Sequence, residues 1–137
     1  MASNAPRLLY LDASAIVKLV VRERETDELI AYVGDSALVS SVVSEIEVPR
    51  AAYLKTGESE SIARAETALR RFSLVELDDE LRREAARAQP GDLRSLDAIH
   101  LASCLRLKTR LAAVVAYDRK LTVALRAHAL PVEAPAR

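Results

Sequence analysis

Four carboxylates stand out by their type and by their places in the chain: Asp12, Glu47, Asp97 and Asp118. Carboxylates that lie close together repel one another, so a cluster of them needs a compensating cation. Oxygen ligands suit hard ions such as Mg²⁺ or Mn²⁺, which keep several waters and also bind phosphate oxygens. Such an ion can lower the pKa of a bound water and stabilise charge on a phosphate. The chemistry in question is therefore metal-assisted hydrolysis of a phosphodiester.

Short apolar runs separated by helical patterns must position these carboxylates. Buried strands are predicted at 8–11, 37–39, 74–77 and 112–116, with a last edge strand at 130–133. Helices are predicted from near Ser14 to 21 and at 25–33, 42–55, 59–72, 79–88, 96–107 and 119–128. Pro49 is expected to kink its helix or to mark a boundary, and Ser95 to cap the helix that follows it. Strands that alternate with helices predict an α/β fold, a mostly parallel sheet with helices on both faces.

Ligands of such folds bind outside the carboxyl ends of the strands, and two of the carboxylates occupy that kind of position. Asp12 and Asp118 each follow a predicted strand, Glu47 lies on the helix after the second strand, and Asp97 lies in the first turn of a later helix. Asp12 and Asp97 also suit a plain helix cap. Spacing alone does not show that the four side chains meet.

Length and composition narrow the class of protein. The 137 residues suit one compact domain. Twenty basic and twenty acidic residues cancel, which argues against indiscriminate nucleic-acid binding but not against a nuclease. Cys104 is the only cysteine, so no intrachain disulfide can form and a reducing compartment is expected. Without a signal-peptide pattern or an apolar run of about 20 residues, the sequence predicts a cytoplasmic protein.

Four segments resemble, in order, the acidic motifs of VapC-type PIN domains, the ribonuclease toxins of type II toxin–antitoxin systems. They are residues 9–19 (LYLDASAIVKL), 39–48 (VSSVVSEIEV), 93–102 (LRSLDAIHLA) and 114–121 (VVAYDRKL). The resemblance implies a PIN-like three-layer α/β/α sandwich with a sheet of four to five strands. It also implies that residues 1–137 form a single PIN domain with a core at about 8–135.

The resemblance further implies an endoribonuclease that cleaves RNA by metal-activated water and inhibits translation until its antitoxin neutralises it. Asp12, Glu47, Asp97 and Asp118 would then be the catalytic carboxylates around one or two Mg²⁺ or Mn²⁺ ions. The implied partners are RNA, a VapB-type antitoxin bound in a groove of the N-terminal half, and a second toxin chain in a homodimer. Promoter DNA would be bound only through the antitoxin, and no membrane is involved.

Several residues near these motifs have more than one possible role. Glu45 and Glu47 point to different sides of a helix, and only the family register favours Glu47. Ser14 suits a contact to the site or to substrate, and equally a helix cap. Arg94 and Arg119, each close to a motif carboxylate, are candidates for contacts to RNA phosphates. His100 could reach the site or simply pack in the core. Ala116 stands where many relatives carry Ser or Thr.

Two other classes of function fit parts of the sequence. A receiver-like regulatory module also places Asp after its strands, but it usually has an acidic pair after the first strand, and here Leu11 and Ala13 flank Asp12. A PIN-like protein that has lost activity and serves only in assembly is the other alternative. The three intact aspartates argue against it.

Overall fold

The structure is a computed structural model that describes residues 6–137. Five strands alternate with seven α-helices and one short 3-10 turn at Lys108–Arg110. In chain order the elements are β1 (Leu8–Leu11), α1 (Ala13–Val20), α2 (Thr26–Val33), β2 (Ala37–Ser41), α3 (Ser44–Thr56), α4 (Glu60–Leu69), β3 (Phe72–Val75), α5 (Asp79–Ala86), α6 (Ser95–Leu107), β4 (Ala113–Val115), α7 (Arg119–Ala127) and β5 (Val132–Glu133). Within this part of the chain, no helix is long and apolar enough to cross a bilayer.

All five strands are parallel, in the order β3-β2-β1-β4-β5. The central strand β1 pairs with β2 through Leu9 and Leu38, and with β4 through Leu11 and Val115. Parallel strands covered on both faces consist of continuous apolar residues, which is why these short runs predicted the strands, although β3 begins and ends two residues earlier than the predicted 74–77. Because all strands run the same way, their carboxyl ends share one edge of the sheet.

The sheet separates two apolar cores. Leu9 and Leu11 of β1 pack against α1, α2, α3 and α4 on one face. Tyr10, between them in sequence, points to the opposite face and packs against α6 and α7, because successive strand side chains alternate between faces. Both leucines are fully buried, and each such leucine contributes about 1.5–3 kcal/mol relative to an exposed one. The expected three-layer α/β/α sandwich is confirmed.

The ends of several helices follow from local chemistry. Asp12, Asp78 and Asp118 are the N-caps of α1, α5 and α7, and each accepts a hydrogen bond from the backbone amide three residues later. The first helix therefore begins with Asp12 as its cap, and Ser14 lies inside it. At the end of α3, Gly57 adopts a left-handed conformation with φ of 68°, which glycine reaches without steric cost.

Two sequence-based expectations of local structure are wrong, and one of the two alternatives for Pro49 is excluded. Pro49 does not mark a boundary, because α3 continues through it while the helix forgoes one amide donor, and a kink at this residue stays a prediction. Phe72 opens β3 instead of closing α4, because it pairs with Leu38 in the sheet. Ser95 is the first residue of α6, whose N-cap is Arg94 with no side-chain hydrogen bond.

Candidate active site

The carboxyl edge of the sheet brings two of the four carboxylates onto adjacent strands. Asp12 directly follows β1, and its amide donates to the carbonyl of Val115 at 3.3 Å, which extends the pairing with β4. Asp118 lies three residues beyond the end of β4. Glu47 lies in the first turns of α3, which follows β2, and Asp97 lies in the first turn of α6.

Asp12 is the most buried of the four, with only 4% of its surface exposed. Its Oδ1 accepts hydrogen bonds from the Ser14 hydroxyl at 2.7 Å and from the Ala15 amide at 3.0 Å. Burial raises the pKa of Asp12 to about 6, and the nearby charge of Glu47 adds to the rise. A carboxylate held in this way keeps its orientation but is costly to ionise.

Ser14 connects the first helix to the segment after β4. While its hydroxyl donates to Asp12, its oxygen accepts the amide of Tyr117 at 3.2 Å. The next residue, Asp118, accepts the Leu121 amide through Oδ2 at 2.9 Å as the cap of α7. Ser14 thus makes contact with the site, and the expectation that it is a plain helix cap is wrong.

Asp97 is half-buried, and its pKa depends on the other carboxylates. Burial raises the pKa of Asp97, and the charge of Asp118 raises it further, followed by a smaller contribution from Glu47. His100, when it is protonated, and Arg94 act in the opposite direction and lower this pKa. Asp97 is the third residue of α6 and not its N-cap, so helix capping does not account for its presence.

Glu47 is fixed by a histidine from another helix. Its Oε1 lies 2.7 Å from Nε2 of His100, whose Nδ1 lies 2.7 Å from the hydroxyl of Tyr10. The His100 side chain is almost completely buried. Glu45, by contrast, is exposed and lines a separate groove on the outer face of α3 and α4.

A cleft of about 350 Å³ is lined by two of the four carboxylates, Glu47 and Asp118. Its lining includes Ser14, Lys18, Glu47, Tyr117 and Asp118. The ammonium of Lys18 pairs with Glu25 at 3.1 Å and lies 4.7 Å from the centre of the Tyr117 ring. The cationic group at the wall of this cleft is therefore paired with carboxylates, since Glu23 also lies 3.7 Å from it.

The donor set fits a hard divalent cation by its chemistry. Asp12, Glu47, Asp97 and Asp118 supply only oxygen ligands. Burial raises the pKa values of Asp12 and Asp97, and neighbouring carboxylates add to the rise, an addition that a cation would reverse. The four are not drawn together around a common point. Among the described residues, no three histidine, cysteine or acidic side chains converge closely enough to hold an ion.

Comparison with known proteins agrees with this geometry. The model of the PIN domain family matches residues 9–124. The chain belongs to the PIN domain family. It is 41% identical over 128 residues to Ribonuclease VapC46 of Mycobacterium tuberculosis, an alignment that covers 93% of this chain and 97% of that protein. The resemblance to VapC-type PIN domains is thereby confirmed, and the receiver-like alternative is not supported.

Solved structures of two VapC proteins share the fold at low sequence identity. Mycobacterium tuberculosis VapC20, described as a toxin that cleaves the sarcin-ricin loop, matches with a TM-score of 0.67 and 15% identity, over 85% of this chain and 94% of that one. VapBC2 of Rickettsia felis, bound to a promoter DNA fragment, matches with a TM-score of 0.69 and 10% identity, over 93% and 98% of the two chains. Similarity at this level of identity concerns the fold.

Within this PIN domain, the acidic residues singled out from the sequence lie at one edge of the sheet. Arg94 influences Asp97 electrostatically, while Arg119 is exposed at the start of α7. The sequence placed Lys18 among six basic residues that could guide substrate but preferred Arg94 and Arg119, and it left open whether His100 reaches the site or packs in the core. The single available signal for His100 was its spacing, three residues after Asp97 on the same helix.

Proposed function

We propose that this chain is a Mg²⁺- or Mn²⁺-dependent endoribonuclease, the toxin of a VapBC toxin–antitoxin module. We further propose that residues 1–137 act as a single PIN domain with its core at about 8–135. One observation carries the proposal: at the carboxyl edge of the sheet, the pKa of Asp12 is raised by burial and by the charge of Glu47, and that of Asp97 by burial and by the charges of Asp118 and Glu47. The similarity to Ribonuclease VapC46 supports RNA as the substrate class.

In this proposal the residues of the site have different roles. Asp12, Glu47, Asp97 and Asp118 would hold the cation, which when bound supplies an acidified water and neutralises charge on the phosphate. Ser14 keeps Asp12 oriented through its 2.7 Å hydrogen bond. Burial of Asp12 limits the water around it, and charges are more effective where water is excluded.

Basic side chains near the cleft would position the RNA backbone. Lys18 lies in the cleft wall, and Arg94 and Arg119 are exposed at the starts of α6 and α7. Contacts to phosphates fix register and orientation without reading sequence. Such contacts also agree with a net charge of zero, since local cations can act without an overall basic excess.

A VapB-type antitoxin is the proposed protein partner, supported by the similarity to the VapBC2 fold. Of seven large apolar side chains exposed among residues 6–137, five lie in the N-terminal half: Ile30, Ile46, Tyr53, Leu54 and Ile62. Four of them line a groove of about 650 Å³ between α3 and α4. We expect the antitoxin to cover this groove, a homodimer to form between toxin chains, and promoter DNA to be bound only through the antitoxin. Release from the antitoxin would then inhibit translation.

The test compares the wild type with Asp97→Asn and a matched control, Asp92→Asn, which changes an exposed residue in the loop before α6. Each is expressed without antitoxin, growth is followed and the ends of cleaved RNA are mapped. The wild type and Asp92→Asn are expected to arrest growth with discrete RNA cleavage, and Asp97→Asn to do neither. Equal arrest by Asp97→Asn would contradict catalysis through this site and favour a binding function. With purified protein, cleavage should require Mg²⁺ or Mn²⁺ and stop on addition of a chelator.

A further inference from the structure

A chain of two hydrogen bonds joins three elements beneath the acidic cleft. The hydroxyl of Tyr10 on β1 meets Nδ1 of His100 on α6 at 2.7 Å, and Nε2 of His100 meets Oε1 of Glu47 on α3 at 2.7 Å. Tyr10 and His100 are both almost inaccessible to solvent. Their rings meet edge to face, with centroids 5.8 Å apart and planes at 81°. The imidazole therefore has little freedom to turn.

The chemistry of the two contacts determines which nitrogen carries a proton. An ionised Glu47 only accepts hydrogen bonds, so Nε2 must donate to it. Nδ1 is then available to accept a hydrogen bond from the Tyr10 hydroxyl. Nearby, the hydroxyls of Ser40 and Ser103 donate to backbone carbonyls. At both contacts of the Tyr10–His100–Glu47 chain, a donor thus meets an acceptor.

We infer that His100 and Tyr10 are positioning residues for Glu47, and that they make Glu47 rather than Glu45 the second acidic residue of the metal site. The inference rests on the proposed function of the site. A free glutamate side chain samples several rotamers, and holding one of them in advance removes that entropic cost from ligand binding. His100 also ties α3 to α6, the helix that carries Asp97 three residues earlier. These hydrogen bonds therefore hold Glu47 and Asp97 in a fixed position relative to each other.

A purely structural role for His100 predicts something different. A buried histidine with both nitrogens satisfied stabilises the core whether or not Glu47 binds a cation. In that case its loss would weaken folding but leave the metal affinity of the folded protein unchanged. Metal binding and folding must therefore be measured separately.

The experiment measures Mn²⁺ binding by calorimetry on purified, antitoxin-free protein whose folding is verified by circular dichroism. His100→Gln keeps an amide donor near the position of Nε2, His100→Leu removes it at similar volume, and Tyr10→Phe removes only the hydroxyl. We expect His100→Leu to weaken Mn²⁺ binding about tenfold or more, in the range seen for residues that orient metal ligands. His100→Gln should stay within about threefold of the wild type, because it restores the donor. In a Glu47→Gln background, His100→Leu should cause no further loss.

Two controls keep the outcomes apart. First, Glu45→Gln should leave Mn²⁺ affinity unchanged. Second, ¹⁵N NMR of the metal-free wild type should show that the proton of the His100 ring is on Nε2. In Tyr10→Phe, this proton should no longer be confined to Nε2. If the wild type binds Mn²⁺ and folded His100→Leu binds it equally well, the positioning role is overturned while the proposed function stands. If the wild type takes up no Mn²⁺ at all, the proposed function fails and this inference with it. Should His100→Leu not fold, unchanged Mn²⁺ affinity in Tyr10→Phe would overturn the role, and a several-fold loss would support it.

Discussion

Replacing Asp12 by Asn should make the metal-free protein more stable, although it removes a proposed metal ligand. The burial of Asp12 raises its pKa from 3.8 to about 6, so the folded state holds this proton more tightly than the unfolded chain does. A rise of this size corresponds to about 3 kcal/mol of destabilisation once the group is ionised in both states. Asn has no charge to bury, and its carbonyl can still accept from Ser14 and from the Ala15 amide as a good N-cap.

The sign of the pH dependence follows from the direction of this pKa change. Below the unfolded value of 3.8 the carboxyl is protonated in both states and costs nothing. As the pH rises through the window from 3.8 to about 6, the unfolded state loses its proton first, and the wild type loses stability. The advantage of Asp12→Asn should therefore be about 3 kcal/mol at about pH 8 and fall to about 1 kcal/mol at about pH 4.5.

The assay is urea denaturation in the presence of a chelator at these two pH values, with Asp92→Asn as the exposed control. Equal denaturant slopes for the wild type and Asp12→Asn would show that the same surface unfolds, so that midpoints report stability. Addition of Mn²⁺ should reduce this difference in stability, because the cation stabilises the wild type more than it stabilises Asp12→Asn. The wild type should gain about 2.7 kcal/mol at a Mn²⁺ concentration 100 times its Kd, and Asp12→Asn much less. The reasoning is refuted if Asp12→Asn is no more stable than the wild type at the higher pH, or if its advantage does not change with pH.

Three further substitutions test other parts of the site and surface. Ser14→Ala should cost about 1 kcal/mol in denaturation, because it leaves the half-buried Tyr117 amide without its acceptor. No loss of stability would contradict this contact. Leu54→Asp, at a side chain 85% exposed, should change stability by less than about 0.5 kcal/mol yet reduce antitoxin recovery in a pull-down. Unchanged recovery would remove the groove from the interface. Arg94→Gln should raise the pKa of Asp97, so the acidic limb of the pH–activity profile should move to higher pH, and an unchanged limb would exclude this coupling.

The fold followed from the sequence because its signals are local. Continuous apolar runs predicted the strands, and Asp12, Gly34 and Gly57 marked real helix ends. Errors arose where contact with a residue distant in sequence determines the secondary structure. Phe72 continues the helical spacing of α4 in sequence, yet pairing with Leu38 across the sheet places it in β3. A local pattern does not show that a residue can pair across the sheet instead of continuing a helix, so it misplaces the boundary between α4 and β3.

The site was only partly accessible to sequence reasoning for the same reason. The order of motifs pointed to four carboxylates, but nothing in the segment from Glu45 to Glu47 distinguishes the two glutamates physically. The distinction depends on His100, which is 53 residues away in sequence and lies against Glu47 only after α3 and α6 have packed on the sheet. The same is true of Ser14 and Tyr117, 103 residues apart.

A helix cap and a metal ligand are not competing roles for the aspartates of this site. A carboxylate has two oxygens, and among the described residues the capping bonds of Asp12 use Oδ1 while the capping bond of Asp118 uses Oδ2. Capping thus fixes the orientation of each side chain and leaves its second oxygen available to the proposed cation. Asparagine preserves the cap and removes the charge, whereas alanine removes both at a cost of about 0.5–2 kcal/mol for the cap alone. Substitution by asparagine therefore separates the chemistry of the site from the stability of the helices that build it.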